Sequence, residues 1–159
     1  MKSVKSVYGY CLLLALALFA VAPAAVASNL EAQEPYARST PPGMQNSAAY
    51  FVLRNHGNQP RHLVAVASSV AAKVELHTHL HEDGMMMMRQ VESVEVPRRG
   101  VVKLEPGGLH VMLLGLKHPL EPGQHIDLTL QFDDGSSLEL RPEVRHPSGH
   151  APQHGHHHH

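Results

Sequence analysis

The 159-residue chain has one cysteine, Cys11, and no tryptophan. Cys11 lies within the apolar N-terminal run, so the chain expected after processing has no cysteine. That excludes a disulfide framework, a thiolate nucleophile and every cysteine-ligated metal site. Aromatic residues make up only 4% of the chain, too few for a base-stacking platform. Basic charge is also scarce. Subtracting Lys2 and Lys5 from 13 basic residues leaves 11 against 14 acidic ones, a formal charge of −3. A mildly acidic surface without a basic cluster argues against nucleic acid or an anionic membrane as partner. No Ser-His-Asp arrangement, paired-carboxylate motif or phosphate loop stands out, so enzymatic activity is not expected.

Long hydrophobic runs are confined to the N-terminus. Lys2 and Lys5 precede the apolar stretch Tyr10 to Ala22, and Ala25-Val26-Ala27 has the small-x-small pattern of a cleavage site. Residues 1–27 therefore read as a cleavable signal peptide for export. The apolar stretch is short for a spanning helix of ~20 residues. No later segment is apolar enough to span, so no stable membrane insertion is expected after cleavage. The remaining 132 residues (159 less 27) suffice for one domain.

Residues 28–47, with Pro35, Pro41, Pro42 and Gly43, read as an extended lead-in with turns. From Ala48 onward, short β-type segments alternate with breaks such as Pro97 to Gly100, Pro106 to Gly108 and Asp133 to Gly135. Seven or eight short strands and no capped helical stripe indicate an antiparallel sandwich or barrel over 28–141. Residues 142–159 read as a disordered tail, since a segment so rich in His, Pro, Ser and Gly cannot bury a core. His146, His150, His154 and His156, His157, His158 and His159 suit borderline ions such as Cu(II) or zinc. A terminal histidine run also resembles a purification tag; the three spaced histidines before it favour a native metal-scavenging tail.

Histidine and methionine are the abundant unusual residues, concentrated from His77 to Met112. Lys73 to His81 alternates, with Val74, Leu76, Thr78 and Leu80 on one face and Glu75, His77, His79 and His81 on the other. Asp83-Gly84 is a two-residue hairpin signal. Such a turn pairs Glu82 with Met85, His81 with Met86, Leu80 with Met87 and His79 with Met88. It assigns Met85 and Met87 to the apolar core and Met86 and Met88 to the histidine face. His110 and Met112 likewise share one face of a later strand, opposite Leu109, Val111 and Leu113. Neutral imidazoles and thioethers bring no charge to offset an ion, which favours Cu(I) over Cu(II). A blue-copper electron carrier would need a cysteine ligand and is excluded.

The spacing His77-x10-Met88-x21-His110-x-Met112 resembles the motif of the PCu(A)C family of periplasmic copper chaperones. So does its context, including Thr40-Pro41-Pro42-Gly43-Met44, Val74-Glu75-Leu76-His77 and Pro106-Gly107-Gly108-Leu109-His110. The resemblance covers roughly residues 30–141. It implies a cupredoxin-like β-sandwich that binds one Cu(I), with His77, Met88, His110 and Met112 as the ligands. His79, His81 and Met86 are additional here, as auxiliary ligands or a supporting layer. The resemblance also implies delivery of copper to an acceptor, such as a cytochrome c oxidase subunit or a thiol-bearing assembly factor; the chain is expected to be a monomer. The alternatives are copper sequestration for tolerance and a metal-free β-sandwich interaction module.

Overall fold

The computed structural model describes residues 29–147. The expected signal peptide and all of the tail beyond Pro147 lie outside the described residues. Eleven strands form two sheets, and no described residue is helical. In chain order they are β1 (Leu30–Arg38), β2 (Asn46–Asn55), β3 (Arg61–Ala67), β4 (Ala71–Glu82), β5 (Met85–Gln90), β6 (Val94–Val96), β7 (Val101–Leu104), β8 (His110–Leu116), β9 (Leu128–Phe132), β10 (Ser137–Leu140) and β11 (Glu143–Arg145). The larger sheet runs β11-β1-β2-β8-β4-β5, with β7 also paired to β2; the smaller runs β10-β9-β3-β6. This is the expected β-sandwich with more strands than expected.

Alternation builds the core between the sheets. On β2, Ala49, Phe51 and Leu53 point inward; on β8, Val111 and Leu113 do; on β4, Leu76 does. They meet Leu63, Leu128 and Leu130 of the smaller sheet, all at most 1% exposed. The other face of the larger sheet carries Ala48, Tyr50, Glu75, His77, His110 and Met112, by the same period of two.

Three sequence expectations need correction. The lead-in at 28–47 contains β1, a nine-residue strand between β2 and β11. Its alternation is broken by a register shift between Gln33 and Tyr36, where Glu34 takes a φ of 52° ahead of Pro35. A bulge hides a strand from any period-two pattern. Second, the domain does not stop at residue 141. β11 pairs in parallel with β1 and buries Val144 to 1% exposure. Third, Met85 and Met87 are not core residues: they are 63% and 40% exposed. They stand on the apolar side of the hairpin, but β5 is an edge strand and is wholly exposed.

Candidate metal centre

The β4–β5 hairpin has the register expected from its turn. His79 pairs with Met88, Leu80 with Met87, His81 with Met86 and Glu82 with Met85. Asp83 and Gly84 both adopt positive φ, 51° and 78°, as a type I′ turn requires. β4 is shared between two partners. Its first half pairs with β8 as far as His77↔His110, and its second half pairs with β5 beginning at His77↔Gln90. Beyond His77 the strand outruns β8, and the His79 N–H donates to the carbonyl of Gly108 (3.3 Å) in the turn before β8.

This crossover gathers three imidazoles. The His110 ring centroid lies 5.8 Å from that of His77 and 5.0 Å from that of His79, with which it stacks. Tyr50 lies on the remaining side, 6.4 Å from His110 and 5.0 Å from Tyr36. His110 is only 2% exposed although it belongs to the outer face. Burial holds its pKa below the ordinary histidine value, opposed by its hydrogen bond to Gly108 and aided by charge on His79 and His77.

The hydrogen bonds settle which ring nitrogens are free. His110 Nδ1 donates to the carbonyl of Gly108 at 3.0 Å, which leaves the Nε2 lone pair available. His77 Nε2 donates to Glu75 at 2.7 Å, leaving its lone pair on Nδ1. Glu75 also binds Lys73, and these contacts, Lys73 before His77, hold its carboxyl below the usual range. His77 Nδ1 and His79 Nδ1 are both buried and without a hydrogen-bond partner. Buried polar atoms ordinarily find partners. Each of the two imidazoles thus keeps one buried nitrogen free to take a ligand.

A cleft of about 410 Å³ opens over this face. His79, Met88, His110 and Met112 line it, together with Met44 and Tyr50. His77 lies beside His110 but is not part of the lining. Met88 is 50% exposed, and Met112 is half-buried. His81 and Met86 pair one step further toward the hairpin tip and are exposed outside the cleft. Among the described residues, no three His, Cys, Asp or Glu side chains converge closely enough to hold a metal. The cleft instead offers the thioethers of Met88 and Met112 beside imidazoles, a donor set that suits a soft cation.

Sequence reasoning assigned no role to Glu75 or Tyr50. Glu75 was visible on the histidine face of β4, and alternation along β2 separates Tyr50 from Phe51 and Leu53. Their neighbours across the sheet are long-range pairings that local pattern does not give.

A sequence model of the LpqE-like family, described as a lipoprotein family, matches residues 30–144. The chain belongs to the LpqE-like family. Lxx21020 of Leifsonia xyli subsp. xyli is 34% identical over 128 residues, 80% of this LpqE-like chain and 76% of its own length. The solution structure of Cu(I)-DR1885 from Deinococcus radiodurans is 36% identical, with a TM-score of 0.59, covering 75% of this chain and 81% of that one. The copper-bound PCuAC domain from PmoF2 superposes with a TM-score of 0.63 over 75% of this chain and 94% of that domain. At 21% identity that likeness shows the fold alone. The LpqE-like domain is thus a PCu(A)C-type cupredoxin-like sandwich.

Proposed function

We propose that this LpqE-like chain is an exported copper chaperone that binds one Cu(I) through His77, Met88, His110 and Met112. The observation that carries this reading is the cleft shared by His110, Met88 and Met112, with the buried, unpartnered Nδ1 of His77 on the ring next to His110. Neutral histidines and methionines are soft, uncharged donors, and burial favours the neutral form of His110. The likeness to a Cu(I)-loaded structure at 36% identity supports the same cargo. The family's lipoprotein description agrees with export, and cleavage after Ala27 would release a periplasmic protein.

The chain carries its copper to an acceptor and catalyses nothing. The acceptor we favour is the copper centre of cytochrome c oxidase, reached directly or through a thiol-bearing assembly factor. A thiolate binds Cu(I) more strongly than a thioether, so transfer to such a partner runs downhill. The tail histidines, His146 through His159, would hold Cu(II) or zinc more weakly.

Titration against a chromogenic Cu(I) chelator tests the site in wild type, a tail deletion and His110→Ala/Met112→Ala. We expect one tight Cu(I) in the first two and loss of at least about tenfold in affinity in the third. Unchanged affinity in the double variant would sink the ligand assignment. Deleting the gene and assaying oxidase under copper limitation tests delivery: lowered activity supports it, whereas sensitivity only to excess copper indicates sequestration.

A further inference from the structure

The hairpin register leaves one imidazole that the four-ligand set does not use. His79, and not His77, is the direct cross-strand partner of Met88; the partner of His77 on β5 is Gln90. His79 lines the cleft with Met88, His110 and Met112, while His77 sits behind it, tied to Glu75. Each of the two histidines nevertheless has a buried Nδ1 with nothing to bind. Each also flanks the same ring, that of His110, at 5.8 Å and 5.0 Å.

We propose that His79 is a second, cleft-side imidazole ligand for the same ion, interchangeable with His77. This rests on the reading of the face as a Cu(I) site. The ion stays on His110 and the thioethers while one nitrogen–copper bond forms and the other breaks. With His77 it binds Nδ1, the ring nitrogen not engaged by Glu75; with His79 it binds a residue that lines the open cleft, where an incoming thiolate or thioether can reach it. No proton or electron changes hands if each imidazole offers the same neutral lone pair. The two histidines are alternatives because no three such groups converge on one point among the described residues. Two residues along a strand separate their Cα atoms by roughly 6.6 Å, so the same ion meets one or the other after a short displacement.

Interchangeable ligands leave a signature in a double-mutant cycle. Cu(I) affinity is measured by chelator competition for wild type, His77→Ala, His79→Ala and the double variant. We expect each single substitution to cost less than about tenfold, and the double to exceed the product of the singles by about tenfold or more. An independent readout is the ¹⁵N spectrum of the imidazoles in His77→Ala. There, the Nδ1 resonance of His79 should move on addition of one equivalent of Cu(I). Affinity indifferent to His79→Ala in both backgrounds, or an unmoved His79 resonance, overturns the proposal while leaving the Cu(I) site intact. Wild type that binds no Cu(I) overturns both together. Far-UV circular dichroism confirms that the variants keep the sheet.

Discussion

Glu75 decides which way His77 faces. Its carboxylate accepts from Nε2 and so fixes the tautomer that leaves the Nδ1 lone pair free. Replacing it by alanine leaves the ring free to turn and to exchange tautomers. Glu75→Ala should therefore lower Cu(I) affinity by less than about tenfold while His79 is present and by about tenfold in the His79→Ala background, with little change in unfolding midpoint, as chelator competition and urea titration would show. Away from the site, Asp134 accepts from the Ser136 hydroxyl (2.6 Å) and the Ser136 backbone N–H (3.0 Å), and these bonds hold its pKa low. A carboxyl lowered on folding stabilises the folded state above its unfolded value of ~3.9, and that contribution is lost as pH falls through the folded value. Urea midpoints measured from pH 6 to pH 3 should fall, and Asp134→Asn should flatten part of that slope.

The β4–β5 hairpin is the element whose local structure was most legible. Alternation and an Asp-Gly turn suffice for its register, because both are short-range signals. Its burial was not legible. The same alternation placed Met85 and Met87 on the core side, yet the structure leaves them exposed at the sheet's edge. Periodicity says which residues share a face and is silent on whether a second layer lies opposite. The energetic consequence is direct. Met87→Ser should change stability by no more than about 0.5 kcal/mol, whereas Leu76→Ala, on β4 of the same hairpin and 4% exposed, should cost about 2–5 kcal/mol. Thermal or chemical denaturation of the two variants makes the comparison. β1 failed to appear for a different reason: its bulge at Glu34-Pro35 resets the alternation halfway along.

At the scale of the whole molecule, the parallel pairing of β11 with β1 closes the far edge of the larger sheet. It also supports the site from a distance. Arg145 lies over the Tyr36 ring at 5.8 Å, Tyr36 packs on Tyr50, and Tyr50 abuts His110. A chain ending at Arg141 loses the buried Val144 and should be destabilised by at least about 1.5 kcal/mol, while one ending at Pro147 should match the full chain. Calorimetry on the two truncations would check this. Nothing local in Glu143-Val144-Arg145 distinguishes it from the histidine-rich residues that follow, since three residues form a strand only because a partner strand is present. The convergence of His77, His79 and His110 was similarly beyond local pattern, because it depends on β4 lying between β8 and β5.

Pro147, the last described residue, lines the mouth of the same cleft as Met88 and His110. Everything C-terminal to it is covalently moored there. Any encounter of His150, His154 and His156 to His159 with this cleft is therefore intramolecular, at an effective concentration governed by chain length and not by how dilute the protein is.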